Sequence, residues 1–156
     1  MGRAGFTALL ALLAAGAAAH PAPNSLFKLD FRPSGVRAEY WVPLSELAYA
    51  RAAEPGGDFT DYLLRHVAVE SARGAAWRVS VAGMRETAYA GHDYLVADLR
   101  LLPPARESPR PFVLVDDAVT HEVRNHVIYV VELRDTGSQL LGLLQYPTRR
   151  LEIGAR

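Results

Sequence analysis

From Ser25 onward apolar and polar side chains alternate. Phe27, Leu29 and Phe31 fall on one face, Lys28 and Asp30 on the other, which is the period of a half-buried strand. Arg32-Pro33-Ser34-Gly35 then supplies a turn: proline fixes one dihedral and glycine accepts positive φ. Val36, Ala38, Tyr40 and Val42 resume the alternation opposite Arg37 and Glu39. The expected product is a β-hairpin. Further strands are expected at 77–81, 93–102, 111–115, 126–134, 140–144 and 149–153, each bounded by Gly, Pro, Asp or Arg. The proline-rich stretch at 102–111 reads as an exposed connection.

The period changes once. In residues 58–67, Phe59, Tyr62, Leu63, His66 and Val67 recur at the spacing of one helical face, and Asp58 is placed to cap it. "PLSELAYA", from Pro43, allows a helical turn or two, and "AAEPGG" is a loop. Eight short strands and one short helix predict a mainly β domain, a two-sheet antiparallel β-sandwich of immunoglobulin-like or similar kind.

The chain before that domain reads differently. Arg3 precedes an apolar run through Phe6, Leu9, Leu10, Leu12 and Leu13, and Ala17 and Ala19 supply the small residues that signal peptidase accepts. The apolar run is shorter than the roughly 20 residues a membrane span needs. The expectation is a signal peptide at 1–19 and one periplasmic or otherwise exported domain at 20–156, not itself inserted in the membrane. Seventeen basic residues balance 17 acidic ones over the whole chain. Losing Arg3 leaves a domain of net charge about −1, which argues against nucleic acid as a partner. There is no cysteine, hence no disulfide and no thiolate metal site, so the core must hold the domain together.

Chemistry is sparse. No Gly-rich phosphate loop and no G-x-S-x-G occur. His121-Glu122 opens like the H-E-x-x-H helix of zinc proteases, but the next histidine, His126, comes five residues on instead of four. On a helix that turns the two rings about 140 degrees apart. A cleaved amino terminus at His20 would offer two nitrogens from one residue, the free amine and the ring, and nitrogen donors favour Cu(II). Pro21 lacks the N–H that a chelate through successive backbone nitrogens needs. His20, His121 and His126 are therefore the candidate metal ligands, with Asp117 and Glu122 as weaker ones. Cu(II) is the expected ion, ahead of Ni(II) or Zn(II). His66, on the apolar helical face, reads as a core histidine, and His92 as a turn residue.

"AHPAPNSLFKLDFRPSGVRAEYWVPLSEL", "LVADLRLLPPARESPRPFVLVDDAVTHEVRNHVIYV" and "LLGLLQYPTRRLEI" together resemble the exported amino-terminal domain of HupE/UreJ-like bacterial membrane proteins. The resemblance covers nearly all of residues 20–156 and places His20, His121 and His126 on the family's histidines. It attaches no catalytic role to them. It implies a non-enzymatic accessory or interaction domain associated with a membrane system that handles metal, and an inner-membrane protein as partner. The multi-helix membrane domain of that family lies outside the resemblance, so no transport activity is carried over. The alternative expectation is a periplasmic copper or other transition-metal binding protein using the mature amino-terminal histidine, as small β-sandwich copper carriers do.

Overall fold

The computed structural model describes residues 23–154. The signal-peptide reading and His20 lie outside the described residues. The hairpin forms as its alternation requires: β1 (Ser25–Arg32) pairs antiparallel with β2 (Gly35–Pro43) through the turn at 32–35. Gly35 has φ +152, and a Cβ there would come 2.7 Å from the Leu101 carbonyl oxygen, so only glycine fits the turn. Two helices follow, α1 (Leu44–Ala53) and α2 (Phe59–His66), and then β3 (Val67–Ser71), β4 (Arg78–Tyr89), β5 (His92–Leu102), β6 (Phe112–Asp116), β7 (Val127–Arg134), β8 (Gly137–Gln145) and β9 (Arg150–Ile153).

The strands form a six-stranded sheet of order β4-β5-β2-β1-β7-β8 and a three-stranded sheet of order β3-β6-β9. Their inner faces share one core. Phe27, Leu29, Tyr40, Leu99, Leu101, Ile128 and Val130 from the large sheet meet Val67, Val69, Phe112, Leu114 and Ile153 from the small one. Phe31 reaches across to Phe112 with ring centroids 6.1 Å apart. Gly142 of β8 leaves room for Leu151 of β9, whose Cδ1 would lie 2.5 Å from any Cβ placed there. The two-sheet, mainly β architecture is thus the one the alternation predicts.

Four details differ from that expectation, each for a physical reason. β1 pairs with β7 in parallel, Ser25 opposite Ile128, and alternation carries no information about strand direction. α1 is a full helix, but it buries only Leu47 and Ala50, too narrow a stripe to show as periodicity. The second helix ends at His66, and Val67 opens β3, where Val67, Val69 and Ser71 alternate inward. β4 runs far beyond 77–81, and the extension is silent in the sequence because every residue in it is partly or fully exposed, which removes the apolar signal.

The two edges of the large sheet are unlike. β4 carries Arg78, Arg85 and Glu86, and Arg85 is anchored to Asp98 and Glu39, each at 2.9 Å. β8 carries no charge in nine residues. Its outward side chains Leu140 and Leu143 are exposed and stand opposite Val131 and Tyr129 of β7. Both edges hold a one-residue bulge, so charge is what separates them. Apart from Gln145, whose N–H donates to the Thr148 carbonyl, β8 pairs beyond β7 with no strand among the described residues.

Candidate functional site

The titratable side chains gather where α2 runs into β3 beside the end of β6. Asp58 caps α2 by accepting from the Asp61 N–H at 2.9 Å, as expected of that residue. The helix buries Phe59, Tyr62 and Leu63. The Tyr62 hydroxyl donates to the Ala118 carbonyl, and the Asp117 N–H donates to the His66 carbonyl at 3.3 Å. These two ties hold the segment after β6 against the end of α2. In that segment the Val123 N–H donates to the Val119 carbonyl at 2.9 Å and the His121 N–H to the Asp117 carbonyl at 3.2 Å, a local helical winding that turns His121 back toward α2.

As a result His66 and His121 stack, with centroids 4.5 Å apart and planes 14° from parallel. Asp117 fixes both rings. Its Oδ1 accepts from His66 Nδ1 at 2.8 Å and its main-chain oxygen accepts from His121 Nδ1 at 2.7 Å. Glu54, which closes α1, brings Oε2 to 3.2 Å from His66 Nε2 and Oε1 to 3.4 Å from His121 Nε2. The buried Nε2 of His121 completes no hydrogen bond. One donor atom each from Glu54, His66 and His121 lies within 4.8 Å of the other two; these are the residues at this end that could hold a metal ion.

Strand alternation separates the two adjacent aspartates. Phe112, Leu114 and Asp116 point inward from β6, so Asp116 is fully buried. Burial pushes its carboxyl up to about 7, against the hydrogen bond from the Ala118 N–H and the neighbouring Tyr40 phenol, which favour the charged form. That bond to Oδ1 is 3.0 Å long, whereas Asp116 Oδ2 and the Tyr40 hydroxyl fall short of a well-formed hydrogen bond. Asp117 is only partly buried. Burial alone would raise it too, but hydrogen bonds from His66 and Arg149, at 2.8 and 3.0 Å, hold it below the usual carboxylate range. The Tyr62 phenol is pushed up, first by burial and then by Glu54 and the two aspartates.

His121 thus lies in the cluster, and Asp117 sits behind the rings as their anchor. Glu122 is exposed. His126 is elsewhere: it is buried, and its Nε2 accepts from the Ser25 N–H at 3.2 Å and from the Ser25 hydroxyl at 2.8 Å. That leaves no lone pair on Nε2 for a metal, and burial lowers the ring to about 4. The structure joins His121 to His66 and Glu54, and not to His126. Spacing could not find this pair, because His66 falls on the apolar helical face and Glu54 sits in a loop with no pattern of its own. No family model matches the chain, and no curated protein is significantly similar to it.

Proposed function

We propose that the chain is an exported, non-enzymatic accessory domain that docks on a membrane-embedded bacterial partner. The carrying observation is the β8 edge: nine uncharged residues with outward Leu140 and Leu143, adjoining Tyr129 and Leu133, both also exposed. Soluble domains usually blunt an open edge with charge, as β4 does here, because unpaired N–H and C=O groups template pairing with another chain. An extended segment of the partner can add to β8 by main-chain hydrogen bonds, with the leucines setting the register. The leader-like residues 1–19 and the HupE/UreJ resemblance support export and a membrane partner. Among the described residues no helix is long and apolar enough to cross a membrane.

Photo-crosslinking in intact cells tests this. A crosslinker at Leu140 or Leu143 is expected to capture one membrane protein, and the same group at Glu86 on β4 is not. Leu143→Lys in the presence of a crosslinker at Leu140 should abolish the adduct. Equal capture from both edges, or none from β8 with the domain abundant, refutes docking through this strand.

A further inference from the structure

We infer that Glu54, His66 and His121 form a site for one divalent transition-metal ion, with Asp117 as its outer anchor, an assignment independent of the docking proposal. The argument starts from hydrogen-bond direction. Asp117 offers only acceptors, the carboxylate oxygen to His66 and the carbonyl oxygen to His121. Both Nδ1 atoms must therefore carry the proton. In neutral rings this leaves both Nε2 lone pairs facing the Glu54 carboxylate oxygens at 3.2 and 3.4 Å, acceptor against acceptor. The His66 contact is within hydrogen-bond reach of Glu54, but the buried His121 Nε2 has no hydrogen-bond partner; one divalent ion between them satisfies both rings and the carboxylate together.

The donor set and spacing narrow the ion. Two imidazole nitrogens and one carboxylate oxygen with a fourth position open is a familiar Zn(II) set. Donors at ~2.0–2.1 Å from a tetrahedral ion lie ~3.3 Å apart, and each ring nitrogen stands 3.2–3.4 Å from one of the two Glu54 oxygens. The three atoms are already within 4.8 Å of one another. The Asp117 contact to His66 Nδ1 is the carboxylate–histidine–metal arrangement that fixes tautomer and ring direction in metal sites. Arg149 at 3.0 Å from the other Asp117 oxygen keeps that carboxylate ionised and in place.

The test is a Zn(II) titration of the purified protein, as cells process it, against a competing chelator, with Cu(II) in a parallel arm. The expected result is one equivalent of Zn(II) bound. Asp117→Asn should weaken binding ~10–100-fold, and Glu54→Gln, His66→Gln and His121→Gln by more. His92→Gln, at the start of β5, should leave it unchanged. Co(II) in place of Zn(II) should give the intense visible absorption of a four-coordinate ion. Circular dichroism checks each variant for folding. If the histidine variants fail to fold, the Zn(II)-dependent rise in melting temperature decides, present in the wild type and lost in Glu54→Gln, whose side chain is partly exposed. Absence of stoichiometric binding overturns the site, as does wild-type affinity in Glu54→Gln or in both folded histidine variants.

Discussion

Asp116 and Asp117 are neighbours in the chain and belong to opposite regions of the molecule. Asp116 is fully buried with Tyr40 close by and makes no ion pair among the described residues, and its proton is held up to about pH 7. Asp117 faces outward, its carboxylate between His66 and Arg149 and its main-chain oxygen accepting from the His121 ring, and it stays ionised below the usual range. The histidines divide the same way: burial strips His126 of its basicity, while His66 and His121 stand against carboxylates. Residue type decides little here. One step along a strand moves a carboxylate from a place where burial neutralises it to one where partners keep it charged.

The inner and outer sides of α2 give the largest contrast. Leu63 is fully buried, so Leu63→Ala should cost about 2–5 kcal/mol in urea unfolding. Arg65 is exposed, with a loose 3.7 Å contact to Glu54, and Arg65→Ala should stay within about 0.5 kcal/mol. Equal losses would mean that the helix presents no distinct inner side.

The interior pair sharpens the comparison through pH. Asp116 has a folded-state pKa raised from 3.8 to about 7, so the stability it contributes is present below about pH 4 and lost as pH rises through 7. The change is about 4 kcal/mol. His126 has a folded-state pKa lowered from 6.5 to about 4, so its contribution is present above pH 6.5 and lost as pH falls through 4, by about 3 kcal/mol. The two slopes oppose each other across the same window. Wild-type stability should be nearly flat between pH 4 and 6.5, whereas Asp116→Asn should climb with pH and His126→Gln should fall. Denaturant midpoints at half-unit pH steps measure this; parallel profiles for all three proteins would show that neither group is held away from its ordinary value.

On the outer side the effect is smaller. Asp117→Asn keeps the shape but loses the charge facing His66 and Arg149, and about 1 kcal/mol is expected once partial exposure is allowed for. Because the folded-state pKa is depressed, this contribution is present above about pH 4 and disappears in more acidic solution. The difference between wild type and Asp117→Asn in thermal melts should therefore shrink below pH 4 and persist at pH 7.

Much of the architecture was legible because burial on one side leaves a period of two. Phe27, Leu29 and Phe31, or Phe112 and Leu114, announce their strands wherever they stand. Illegible were the elements without a one-sided burden: α1 with two buried residues, and β4 with none. The histidine cluster was hidden for a different reason. Glu54, His66 and His121 come from a helix end, an apolar helical face and a wound loop, and the Tyr62 tie to Ala118 and the Asp117 tie to His66 bring the two histidines together. Capping and strand punctuation are local and could be read; the meeting of separate segments is not local.

The parallel contact of β1 with β7 has a consequence in time. The large sheet consists of two halves, β4-β5-β2-β1 and β7-β8, which meet only where Ser25 to Leu29 lie beside Ile128 to Glu132. Neither half can be zipped to the other by a short turn. The chain between them must close as a single long loop, and that entropy is spent before any of the contacts it brings are made. The pairing of β1 with β7 therefore waits for about the last fifth of the chain, so assembly should be slow for a domain of this size.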